Sequence, residues 1–84
     1  MVYQISIQRR AVKALQDISE PYFSALKSAI YSLAENPRPT GCKKLKGRNA
    51  YRIRVGDYCV IYEIFDNRLC IEVIALGHRK NIYE

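Results

Sequence analysis

Three apolar segments separated by two short polar gaps constrain this chain more than any other feature. Residues 51–55 (YRIRV), 58–65 (YCVIYEIF) and 68–76 (RLCIEVIAL) are separated by Gly56-Asp57 and Asp66-Asn67. Two-residue gaps of this composition are hairpin turns, so the three segments predict an antiparallel meander. Closing the first turn sets Val55 opposite Tyr58, Arg54 opposite Cys59 and Arg52 opposite Ile61. Closing the second sets Ile64 opposite Leu69, Tyr62 opposite Ile71 and Val60 opposite Val73. Both hairpins then assign the same faces. One carries Tyr51, Ile53, Val55, Tyr58, Val60, Tyr62, Ile64, Leu69, Ile71, Val73 and Ala75, is apolar throughout and needs a cover. The other carries Arg52, Arg54, Cys59, Ile61, Glu63, Cys70, Glu72 and Ile74. In this register Cys59 and Cys70 stand about 13 Å apart along the strands, too far to pair.

The cover lies earlier in the chain. Residues 2–7 (VYQISI) alternate as a short strand, and residues 9–18 put Ala11, Ala14, Leu15 and Ile18 on one helical face. Ser19-Glu20-Pro21 breaks that helix and begins a second over about 21–36, with Phe23, Leu26, Ile30 and Leu33 in one stripe. Asn36-Pro37 ends it, and residues 37–43 are loop by composition. The expected fold is α+β, β-α-α-β-β-β, a helical hairpin on one face of a small antiparallel sheet. With 84 residues the chain has room for a single domain, 1–84.

Charge is unevenly placed. Seven of the 14 basic residues (Arg38, Lys43, Lys44, Lys46, Arg48, Arg52 and Arg54) fall between positions 38 and 54, where no acid occurs. The remainder is nearly neutral. Such a stripe suits a phosphate backbone or an acidic protein; it equally suits a solvated loop. No apolar run reaches the ~18 residues of a membrane span, and MVYQISIQRR places apolar residues before charges, the reverse of a secretory signal. A cytoplasmic protein with no membrane partner is expected. Three cysteines without CxxC spacing and a single histidine argue against a zinc site or a disulfide framework, and no cofactor is expected.

Arg52 and Arg54, at i and i+2 of a strand, project from one face about 7 Å apart, a spacing that holds one phosphate or two neighbours. Arg79, Lys80 and Tyr83 follow the last strand, with His78 just before them. Guanidiniums and a phenol fit RNA cleavage by internal attack. The 2′-hydroxyl attacks the adjacent phosphate, fixed cations stabilise the growing charge, and the 5′-oxygen leaves. A tyrosine among cations can serve as base or can stack a nucleobase. The plainer reading makes the arginines ordinary surface residues, Tyr83 an edge residue, His78 part of a turn, and Glu63 and Glu72 cross-strand partners of the arginines.

Taken together, the helical hairpin ending in NPRPTGCKKLKG, the stretch YRIRVGDYCVIYEI and the ending ALGHRKNIY resemble the RelE/ParE superfamily of toxins from toxin–antitoxin pairs. The resemblance spans nearly the whole chain, and the G-H-R-x-x-x-Y ending is similar to the RelE branch. It implies a ribosome-dependent mRNA endonuclease that cuts the codon in the ribosomal A site and is silenced by an antitoxin, expected to be acidic and partly disordered. The ParE branch shares the fold and inhibits DNA gyrase. By the resemblance, Arg52 and Arg54 take the positions of two strand cations, Arg79 that of a transition-state contact, and Tyr83 that of the tail tyrosine. Lys46 corresponds to a basic RNA or ribosome contact, and Lys43, Lys44, Arg48, His78 and Lys80 complete the expected RNA-facing set. One departure stands out: many members carry arginine where this chain has Cys59. A weakened enzyme, compensation by His78 or Lys46, a degenerate toxin fold that binds without cutting, a ParE-like gyrase inhibitor and a plain nucleic-acid-binding module all remain open.

Overall fold

The computed structural model describes residues 2–47 and 49–82. Strand β1 (Gln4–Ile7) is followed by helices α1 (Arg9–Gln16) and α2 (Tyr22–Ser32), a two-residue strand β2 (Lys43–Lys44), and the meander β3 (Ala50–Val55), β4 (Tyr58–Phe65) and β5 (Cys70–His78). The sheet order is β1-β5-β4-β3-β2. Neighbours run antiparallel except β1, which lies parallel to β5, so the sheet is mixed rather than antiparallel throughout. Local pattern does not reveal this pairing, because a strand's side-chain period is the same in either direction. Strand β2 falls in and beside the segment expected to be loop; two consecutive lysines carry no strand signal.

The first hairpin forms in the expected register, with Val55 opposite Tyr58, Arg54 opposite Cys59 and Arg52 opposite Ile61. Gly56 takes φ +61 in the turn, and Tyr22 at the start of α2 packs so close that a side chain there would meet its ring at 3.0 Å. The second hairpin differs. Asp66–Arg68 winds into a 3-10 turn and Leu69 adopts a left-handed conformation, so four residues separate Phe65 from Cys70. Ile64 therefore meets Ile71 and Tyr62 meets Val73, two residues from the expected register. A shift of two preserves the faces. An irregularity in β5 then changes them: Val73 pairs with Tyr62 and Ala75 with Ile61, leaving Ile74 as an extra residue. Beyond it Leu76, not Ala75, faces the helices and joins the main core.

That core combines Ala11 and Leu15 of α1, Leu26 and Ile30 of α2, Leu33 just beyond, and Ile53, Val60, Tyr62, Ile64, Ile71, Val73 and Leu76 of the sheet. The helical stripes are those the spacing predicts, with Phe23, Ala14 and Ile18 at their margins. Glu20 completes the start of α2. Its carboxylate accepts from the Ser24 amide at 3.0 Å and from the Ser24 hydroxyl at 2.6 Å, satisfying a helix donor that has no partner within the helix. These bonds hold the Glu20 carboxyl below its ordinary pKa.

Arg38 belongs to this scaffold rather than to a free basic stripe. It donates to Asp66 at 2.9 Å and to the Tyr51 hydroxyl at 3.3 Å and lies 5.2 Å from the centre of the Tyr51 ring. Tyr3 donates to the other Asp66 oxygen at 2.6 Å. The clamp ties the residue just before β1, the segment after α2, β3 and the 3-10 turn together. The bonds from Arg38 and then Tyr3 lower the Asp66 pKa, while the bond to Asp66 raises that of Tyr3. A depressed carboxyl contributes stability above its unfolded pKa of about 3.9 and loses it as pH falls through the folded value. The wild type is therefore expected to lose urea resistance more steeply than Asp66→Asn as pH drops below about 4. Urea midpoints of both proteins across that range check this; parallel curves would remove the clamp's role.

Candidate nucleic-acid interface

The sheet face away from the helices carries the candidate site. Cross-strand pairing aligns Arg54, Cys59 and Gly77 in one row and Lys43, Arg52, Ile61 and Ala75 in the next. Residues directly opposite one another in such a ladder share a face. Arg54 is exposed; Arg52 is only 8% exposed and is the one buried charged residue among those described. The two arginines share a face, as their spacing predicts, but not an environment, and the plainer reading of both as surface residues fails for Arg52. This face is not simply open, because Leu45, Ala50 and Ile61 form a second small core with Ile74, Ala75 and Ile82. Leu45 arrives from the end of β2 and Ile82 from the tail.

Arg79 stands one residue beyond β5. Its amide donates to the Asp57 carbonyl at 2.8 Å, and its Nε lies 4.0 Å from Asp57 Oδ1. The Gly56-Asp57 turn thus holds Arg79 at the end of the sheet to which Arg54 also belongs. An ion pair this long between two half-exposed groups contributes little, so the guanidinium is held loosely enough to engage an anion. Lys43, Lys44 and Lys46 are exposed on and just after β2, around buried Leu45. Lys80 is exposed beside Arg79.

His78 lies elsewhere. It pairs with Tyr58, which packs at the margin of the main core, and its ring sits edge-on to Tyr58 at 5.7 Å. Tyr58 in turn contacts Tyr22 of α2 at 5.2 Å. His78 is therefore on the helix side, while its Nδ1 accepts the Lys80 amide at 3.2 Å. Glu63 stands opposite Ala50 and Glu72, not opposite an arginine. Arg48 and Tyr83 lie outside the described residues. Arg54 and Arg79 thus lie toward the same end of the sheet, with β4 between their strands, Lys80 follows Arg79, and Lys43, Lys44 and Lys46 line the β2 edge. The structure withdraws Arg52 into a buried position and His78 to the other face.

Three participants are missing from the reading of the sequence: Asp57, Gly77 and Ile82. Asp57 reads only as a turn residue, and nothing local connects it to Arg79, 22 positions later. Gly77 reads as the end of a strand; its place beside Cys59 follows from the irregularity in β5.

The cysteines are free, with Cys59 buried and Cys42 and Cys70 half-buried. Native iodoacetamide labelling followed by intact mass is expected to modify Cys42 and Cys70 before Cys59. Early loss of the Cys59 thiol would contradict its burial. No three His, Cys, Asp or Glu side chains gather as a metal-binding set among the described residues. No described helix is long and apolar enough to cross a membrane.

Comparison with known proteins agrees with this architecture. The sequence model of the ParE toxin of type II toxin–antitoxin systems (parDE) matches residues 5–83. The chain is 30% identical to the toxin RelE1 of Methanocaldococcus jannaschii, over 100% of this chain and 98% of that protein. It is 26% identical to the mRNA interferase toxin RelE of Escherichia coli K12, over 95% and 86%. Among solved structures, the RelE–RelB complex of Pyrococcus horikoshii superimposes with TM-score 0.85 at 30% identity, covering 98% of this chain and 100% of that one. The intact Escherichia coli RelBE complex gives TM-score 0.79 at 25% identity, covering 90% and 95%. With the family pattern running from β1 into the tail, and the same fold recurring in toxins crystallised with their antitoxins, the chain belongs to the RelE/ParE superfamily of type II toxin–antitoxin toxins.

Proposed function

We propose that this chain is the toxin of its pair and cuts mRNA in the ribosomal A site by internal attack of a 2′-hydroxyl on the adjacent phosphate. The bond from that oxygen to phosphorus forms, the bond to the 5′-oxygen breaks, and the products are a 2′,3′-cyclic phosphate and a free 5′-hydroxyl. Arg54 and Arg79 hold the phosphate as its charge grows. Arginine does not release its proton at neutral pH, so neither is the base. Tyr83 is the proposed stacking or proton-transfer group. Lys43, Lys44, Lys46, Arg48 and Lys80 hold the RNA or ribosome backbone, an interaction that weakens with salt. The observation that supports this reading is that exposed Arg54 on β3 and Arg79 just beyond β5, tied to Asp57, lie toward the same end of the sheet, on either side of β4. The relative named as an mRNA interferase supports it.

Cys59 sits in the row between Arg54 and Gly77, where the family resemblance expects an arginine. The proposed enzyme works with one cation fewer at that row. A second reading, gyrase inhibition, is favoured by the ParE description of the matching family. Mapping RNA 5′ ends after brief induction without the antitoxin separates the two. New ends inside translated codons support cleavage. Intact mRNA with accumulated gyrase–DNA complexes favours the second reading, and neither cuts nor growth arrest marks a toxin fold disabled at Cys59. The proposed antitoxin is acidic and partly disordered, suited to a surface with net charge +6. Failure of an adjacent-frame acidic protein to co-purify would overturn that.

A further inference from the structure

The segment after β5 turns back onto the sheet. The Asn81 amide donates to the His78 carbonyl at 2.8 Å and the Lys80 amide to His78 Nδ1 at 3.2 Å, closing a tight turn. Ile82 then packs into the second-face cluster with Leu45, Ala50 and Ile61. It can do so because position 77 has no side chain: a methyl group there would stand 3.3 Å from Ile82 Cδ1 and 3.4 Å from its Cγ1. Both backbone bonds to His78 are internal to the turn. His78 is tied to Tyr58 by strand pairing and by its ring; beyond it, the segment's described ties to the sheet are the Arg79 link to Asp57 and the seat of Ile82.

We propose that Ile82, seated on Gly77, is a positioning residue that holds the 78–82 turn closed and keeps Arg79 against Asp57, at the end of the sheet toward which Arg54 also lies. This rests on the cleavage reading above. Ile82 touches no reacting atom; it acts through Arg79. Loss of the seat leaves Arg79 held from its N-terminal side alone, by the pairing of His78 with Tyr58 and by the bond to Asp57, and displacement of a catalytic cation by about 1 Å can cost up to ~10²-fold in rate.

The test is single-turnover cleavage of mRNA on programmed ribosomes by the full chain, with toxin concentration varied. Ile82→Ala is expected to lower the maximal rate about tenfold while shifting the half-saturating concentration less than about twofold, and Ile82→Val to restore most of the rate. Gly77→Ala, which crowds Ile82, is expected to slow the wild type but to add nothing in the Ile82→Ala background. Hydrogen exchange supplies a second readout: the Arg79 amide exchanges faster in Ile82→Ala while the amides in the middle of β5 do not. Full maximal rate in Ile82→Ala, an unchanged Arg79 amide, or a general acceleration across β5 would each overturn the proposal. The wild-type lane keeps the two readings apart. Cleavage by the wild type together with an unaffected Ile82→Ala sinks the positioning role alone, and absence of cleavage by the wild type sinks both.

Discussion

Arg54→Ala is expected to slow RNA cleavage by roughly 10²–10³-fold, the usual effect of removing one preorganised donor from a developing negative charge. Arg79→Ala is expected to fall in the same range. Both side chains are exposed, so neither change removes a buried contact, and each variant should unfold within about 0.5 kcal/mol of the wild type. Arg54→Lys keeps the charge but loses the planar fork, and should recover only part of the rate. The double variant is expected to lose less than the product of the single losses, because the two cations act on one phosphate. Lysine changes at 43, 44 or 46 should instead weaken binding, reduce the salt dependence and leave the saturated rate near its original value. Single-turnover rates at saturating toxin separate these classes. If Arg54→Ala and Arg79→Ala both cut at the wild-type rate, the proposed site is wrong. Arg52 is a poorer probe: its burial means that Arg52→Ala would mix folding with chemistry.

Leu26→Ala is expected to destabilise the fold by about 2–5 kcal/mol, through lost burial and the cavity left behind. Leu26 is fully buried on the inner stripe of α2, in the cluster that joins both helices to β3, β4 and β5. Small domains are stable by only about 5–15 kcal/mol, so this one change removes a large share of the total. A chain of 84 residues buries a thin core and has little in reserve. Urea denaturation gives the value directly, with an unchanged slope expected if the unfolded state is unaffected. A loss below about 1 kcal/mol would mean that α2 is not pinned to the sheet as described. Antitoxin binding, which adds buried surface, should recover part of the lost stability in the complex.

The parts of this protein that follow from near neighbours in the chain were readable in advance. Period 3.6 placed Leu26, Ile30 and Leu33 inward on α2, and period 2 placed Ile53, Val60, Tyr62 and Ile64 on the same core. The Gly56-Asp57 turn determined the register that sets Arg54 opposite Cys59. Asp66-Asn67 misled because the loop conformation there depends on more than two residues. Asp66 is engaged by Arg38 and Tyr3, partners 28 and 63 positions away, and the turn extends through Leu69. Arg38 illustrates the same point for charge: within the sequence it belongs to a basic run, whereas in the fold it is matched by Asp66.

By itself, then, the sequence determined the helical hairpin, the three-strand meander, the face on which Arg52 and Arg54 lie and the family pattern that runs through them. Backbone periodicity and turn chemistry act over a few residues and leave their mark locally. Only the tertiary structure decided that Arg52 is buried while Arg54 is exposed, that His78 turns toward the helices, and that Asp57 receives Arg79. Those outcomes depend on the irregularity at Ile74, on the return of Leu45 and Ile82 over the second face, and on strand ends that meet only when the sheet is assembled. Burial and electrostatic partnership are properties of which surfaces come together in space, and residues 22 or more positions apart carry no local signal of that meeting.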